Sequence, residues 1–164
     1  MIKNIIVSLI LLSSISHAEL FEKGNLGLGV IVGGGSINVN RKTQNYTIAG
    51  VSAEYFVMND LSVGFGYVGW FGATPSLNQI TLPVNYYVPL SEKFRPYVGA
   101  FVRETFVSDG YDDYFSYGAK VGLAYTISKK SYIGVAWVNE FYDNSSIFKD
   151  SSTSYPEVTF AFSF

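Results

Sequence analysis

Residues 158–164 read Val158-Thr159-Phe160-Ala161-Phe162-Ser163-Phe164, and Phe164 is the last residue of the chain. Val158, Phe160, Phe162 and Phe164 share one face, while Glu157, Thr159, Ala161 and Ser163 share the other. A period of two is the signature of a β-strand. Chain ends are usually polar and frayed, so an aromatic face at this position needs an apolar surface to touch. The nature of that surface decides the fold.

The same alternation recurs upstream in seven segments, near 24–36, 46–58, 61–71, 78–89, 96–107, 114–127 and 131–141. The first sets Leu26, Leu28, Val30 and Val32 against Gly27, Gly29, Ile31 and Gly33. The third sets Val63, Phe65 and Tyr67 against Ser62, Gly64 and Gly66. In the fifth, Arg103 and Glu104 are adjacent, and Val98, Ala100 and Val102 are taken as its apolar face. Connectors near 58–61, 89–95 and 127–131 are short; those near 37–45, 72–77, 108–113 and 142–154 are mostly longer and polar. Tight turns on one side and loops on the other are the layout of an up-and-down barrel threaded through a membrane.

Alternation alone fits two barrels of opposite sidedness. A soluble secreted, lipocalin-like binder is apolar inside and polar outside. Here the polar phase is mostly Gly, Ser and Ala, which suits a narrow lumen better than a solvated wall. Charged residues are 15% of the chain, against roughly 25% in soluble domains, while aromatics are 17%. A membrane strand needs about 9–11 residues, and eight of them leave room for turns and loops. Only a closed barrel satisfies every backbone group of a sheet in lipid. The expected fold is therefore all-β, an eight-stranded antiparallel up-and-down transmembrane β-barrel over residues 19–164. Tyr55, Tyr67, Tyr86, Tyr125, Trp137 and Phe164 lie on the apolar face near segment ends and form the expected aromatic girdle.

The first 18 residues read as a cleaved signal peptide. Lys3 supplies the positive start, Ile5 to Ile15 the apolar stretch, and Ser16-His17-Ala18 the small-residue cleavage site. Removal takes away His17, the only histidine, and the chain has no cysteine. Ser–His, Cys–His and His–metal chemistry then have no base or ligand. No enzyme activity, cofactor or metal is expected, and adjacent Asp112 and Asp113 read as a solvated loop tip. A formal charge of −2 argues against a nucleic-acid partner.

Five charges fall on the interior phase: Glu54, Arg103, Lys120, Glu140 and Glu157. Unpaired charges in a narrow lumen are costly, so they should pair. Counted from the nearest short turn or the C-terminus, Arg103, Lys120 and Glu157 lie at similar depths. The set reads either as a structural plug or as a gate whose pairs exchange partners. Tyr111, Tyr114, Phe115, Tyr142, Ile147, Phe148 and Tyr155 read as loop aromatics, suited to a recognition surface or to an outer girdle.

The chain also resembles the small eight-stranded outer-membrane barrels of Gram-negative bacteria, the OmpA/OmpX-like group. The resemblance rests on Gly24-Asn25-Leu26-Gly27-Leu28-Gly29, on Glu54-Tyr55-Phe56 before an Asn-Asp turn, and on Leu61-Ser62-Val63-Gly64-Phe65-Gly66-Tyr67 after it. Arg95-Pro96-Tyr97-Val98-Gly99-Ala100 and the terminal Phe164 complete it. It implies the cell outer membrane as location, with Phe160, Phe162 and Phe164 as part of a signal read by the barrel-assembly machinery. The expected partners are outer-membrane lipids and lipopolysaccharide, with an extracellular ligand for the loops. The expected role is structural or interactive, with a narrow porin-like channel as the alternative.

Overall fold

The computed structural model describes residues 20–39, 42–72, 74–143 and 152–164. The segment read as a signal peptide, together with Ile147 and Phe148, lies outside the described residues. Eight strands follow in order: β1 (Leu26–Val39), β2 (Lys42–Met58), β3 (Leu61–Phe71), β4 (Leu77–Tyr87), β5 (Phe94–Val107), β6 (Tyr114–Ser128), β7 (Ser131–Asp143) and β8 (Ser152–Ser163). Each pairs antiparallel with its neighbours, and β1 pairs with β8 to close the barrel.

The register fixes the geometry. Followed once round the wall from Glu104 through Tyr67, Val30 and Tyr125, it returns to β5 at Phe94, ten residues away. With about 3.3 Å per residue and 4.8 Å between strands, that shear tilts eight strands by about 40° and gives a backbone radius of about 8 Å. Each residue then climbs about 2.5 Å along the barrel axis, so ten residues cross the roughly 25 Å apolar band of such a barrel.

Sidedness follows the alternation. Leu28, Val63, Leu82 and Phe160 point outward and are exposed, whereas Gly66, Thr81 and Arg103 point inward and are buried. The phase of β5 is as read, with Val98 and Val102 outside and Arg103 inside. Glu104 consequently faces out, between Ile80 and Phe115. It lies at the upper edge of the apolar band, where an outward charge costs least. The exposed apolar belt runs round the whole wall, far beyond the few hundred Å² found on soluble monomers.

Depth makes the belt testable. Val121 faces out at mid-band between Val98 and Trp137. Val121→Arg should destabilise the folded barrel by about 2–4 kcal/mol, and Phe115→Arg near the upper edge by about 0–1 kcal/mol. Urea unfolding in lipid vesicles measures both, and equal costs would contradict the depth assignment.

Two sequence expectations need correction. The loop expected at 37–45 is strand: β1 and β2 stay paired as far as Val39 and Lys42. Thr43 and Asn45 are exposed there while Tyr46 is buried, and a strand standing above lipid has no need of an apolar outer face. The partners on either side stop earlier, at Gly33–Glu157 and Thr47–Phe71, so this hairpin rises past the rim. Tyr114, Phe115, Tyr142 and Tyr155 also lie on strands, not in loops. Tyr114 and Tyr155 are buried in the lumen, and Tyr111 remains an exposed loop aromatic.

Candidate functional site

The lumen is filled in three layers. At the end bearing the short turns, Phe21 enters the mouth and packs against Phe56, Tyr87 and Tyr132, with ring centroids 5.7, 4.7 and 5.2 Å away. Residues 20–25 are strapped across that mouth. Asp60 N–H donates to Phe21 O (2.7 Å), Gly24 N–H to Phe56 O (2.8 Å), and Lys23 N–H to Asn59 Oδ1 (3.0 Å). The Arg95 guanidinium lies 4.6 Å from the Phe21 ring and pairs with Asp60. Sequence reasoning missed this strap, because six residues of mixed polarity beside an expected cleavage site carry no periodicity.

The middle layer holds the charges. Glu54 accepts hydrogen bonds from Ser62 Oγ (3.2 Å), Asn85 Nδ2 (2.8 Å) and Tyr87 OH (3.0 Å), and Tyr87 OH also meets Tyr132 OH (2.9 Å). Neutral donors thus hold this carboxylate. Higher up, Lys120 Nζ lies 3.3 Å from Glu157 Oε1. Nearest the loops, Arg103 Nη1 lies 2.6 Å from Glu140 Oε2, and both side chains are buried. Arg103 also donates to Thr81 Oγ1 (2.8 Å) and Tyr155 OH (2.6 Å), and Ser116 Oγ donates to Glu140 (2.6 Å).

The five interior charges therefore all face the lumen, but the depth count fails for Arg103. Its partner is Glu140, and it sits above the Lys120–Glu157 pair. Counting residues from a turn ignores the stagger of about 3 Å that each tilted strand adds, so equal counts on different strands are different heights.

The third layer caps the loop end. Trp70 stacks on Tyr46 (4.4 Å, 21°) and meets Tyr155 edge-on (6.0 Å, 75°). Its Nε1 donates to Gln79 Oε1 (2.7 Å), whose amide donates to Thr105 (3.2 Å). The interior glycines make room for rings: a Cβ at Gly122 would stand 2.6 Å from Tyr97 Cε1, and one at Gly118 2.8 Å from Phe101 Cε1. Small residues facing large ones is how a narrow barrel fills. A cavity of about 30 Å³ in the lumen touches Glu54, Lys120 and Glu157, room for about two waters.

The outer wall places the aromatics in two rings. Tyr55, Tyr86, Tyr125 and Phe164 lie low, beside the short turns, with Phe94 and Phe162. Tyr67 and Trp137, expected at segment ends, sit nearer mid-strand because their strands run on past the band; Tyr67 OH reaches up to Asn78 Oδ1 (2.9 Å). An upper ring was missed: Phe71, Phe106, Phe115, Tyr117 and Phe141 all face out and are exposed. Its sequence signal was an outward-phase aromatic within a few residues of the connectors at 72–77, 108–113 and 142–154. In the loop, Asp113 Oδ1 accepts Val107 N–H (2.9 Å), a loop-closing contact.

No family model matches the sequence, and no curated protein matches it. Solved structures do resemble it. The N-terminal β-barrel domain of Pseudomonas aeruginosa OprF matches with a TM-score of 0.69 at 15% identity, covering 87% of this chain and 98% of that one. Neisserial surface protein A matches with a TM-score of 0.70 at 14% identity and the same coverage. A de novo designed transmembrane β-barrel matches with a TM-score of 0.58 at 20% identity, covering 90% of this chain and 100% of that one. The fold is that of the eight-stranded transmembrane barrels.

Proposed function

We propose that the protein is an outer-membrane scaffold: a sealed barrel, exported by residues 1–18, that holds its loops at the cell surface for structural or binding work. The fold shared with OprF and Neisserial surface protein A supports the location. The observation that carries the sealed reading is the filled lumen, with an aromatic layer at each end and ion pairs between. Phe160, Phe162 and Phe164 are its signal to the assembly machinery, and the outer wall contacts outer-membrane lipids and lipopolysaccharide. Purified protein in planar bilayers should show no sustained conductance. Long-lived ion currents from the intact barrel would overturn the scaffold reading.

One observation favours a narrow ion channel as the second reading. Lys120 shares the 30 Å³ cavity with both Glu54 and Glu157, so it has two carboxylates to choose between. In that case Glu157→Gln, which weakens the present partner, would change the frequency of current steps. A silent wild type and a silent variant together leave the scaffold.

A further inference from the structure

A second feature lies outside the lumen, at the short-turn end. A groove of about 530 Å³ opens between the 91–95 and 126–129 turns and the strap across the mouth. That volume falls within the range of about 300–1,000 Å³ typical of small-molecule sites. Lys93, Arg95 and Lys129 line it against a single carboxylate, Glu92, and Leu20, Phe21 and Ile127 supply the apolar wall. Its sides are held in place: Thr126 N–H donates to Lys93 O (2.8 Å), and Leu20 N–H to Lys129 O (3.4 Å). Among the described residues Lys93 forms no ion pair.

The level of the groove identifies the occupant. Phe94 and Tyr125, whose rings lie 5.0 Å apart, belong to the lower aromatic ring, which marks the edge of the acyl region. The groove begins in the turn residues directly beneath them. Ile127, on its rim, is 60% exposed, so the apolar wall continues outward towards the bilayer. A cationic recess at headgroup depth, open to the acyl side, has the arrangement of basic pockets that bind lipid phosphates. Short turns face the periplasm in such barrels, which places the recess in the inner leaflet.

We infer that this groove is a binding site for an anionic glycerophospholipid of the inner leaflet, its phosphate held by Lys93 and Lys129 and its acyl chains lying along Phe94 and Tyr125. The inference rests on the membrane location proposed above. Arg95, already paired with Asp60 and Phe21, adds positive potential.

Native mass spectrometry of the barrel, extracted from vesicles of equal phosphatidylglycerol and phosphatidylcholine, tests it. The wild type should retain phosphatidylglycerol preferentially, by roughly 5-fold for each engaged cation. Lys93→Glu with Lys129→Glu should abolish the preference, whereas Lys23→Glu, outside the groove, should leave it. High potassium chloride should reduce retention by the wild type, because screening weakens an exposed charge contact. Should the double variant not fold, Lys93→Gln with Lys129→Gln and the salt series carry the same test. Equal retention of both lipids, salt-independent retention, or displacement of the lipid by inorganic phosphate would each overturn the site. Gel mobility with and without boiling reports insertion in the same samples. A barrel that inserts without lipid preference refutes the site alone, and a barrel that enters no vesicle refutes the membrane location as well.

Discussion

Glu140→Ala should destabilise the folded barrel by about 3–5 kcal/mol, the cost of stranding one member of a buried ion pair. Glu140 is fully buried and Arg103 nearly so. Removing the carboxylate leaves the guanidinium facing Thr81 Oγ1, Tyr155 OH and the Phe101 ring, 4.6 Å away. None of these carries a full negative charge. Ser116 Oγ loses its acceptor in the same step. The combined variant Arg103→Leu with Glu140→Leu should recover most of the loss, because a buried pair replaced by apolar groups of similar volume is often close to neutral. Urea unfolding in vesicles, followed by the heat-modifiable gel shift, measures both. A single-variant cost within 1 kcal/mol of zero would mean that water reaches Arg103 freely, and the lumen would not be sealed at that level.

Phe21→Ala should release the strap at the opposite end. The ring touches three aromatics and lies under the Arg95 guanidinium, and truncating such a buried Phe costs about 3–5 kcal/mol. The strap also holds Phe21 at φ 69° and the Asp60 that binds it at φ 63°, conformations that cost non-glycine residues roughly 1–2 kcal/mol each. Packing of the ring offsets that strain. Most of the loss should fall on local opening of residues 20–25 and not on the wall, whose ladders do not depend on Phe21. Trypsin cleavage after Lys23 in the folded barrel should then accelerate by about 100-fold or more, with the gel shift unchanged. Unchanged cleavage would show that the hydrogen bonds to Asp60 and Asn59 hold the strap without the ring.

Much of this was legible in the chain. Val158 to Phe164 could be read for face, and so could the seven upstream segments, because outward and inward positions alternate along each strand, apart from the register shifts at Phe56/Met58 and Thr126/Ser128. The interior location of Arg103, Lys120 and Glu157 followed from the same parity. The 37–45 hairpin was misread because polarity stood in for loop, whereas a strand above the membrane has no reason to be apolar. Tyr114 and Tyr155 read as loop residues for the same reason, since they adjoin polar connectors but point into the lumen.

The sequence by itself determined the strand count, the sidedness and the choice of hydrocarbon as the outer solvent. Each of these depends on a period of two and on side-chain size, which neighbours along the chain already display. Only the tertiary structure decided that Arg103 meets Glu140, that Phe21 closes one mouth, that Trp70 and Tyr46 close the other, and that Lys93 and Lys129 share a groove. Those contacts depend on the ten-residue shear that closure imposes. Shear sets the height at which residues far apart in the chain come face to face, and no local pattern encodes it.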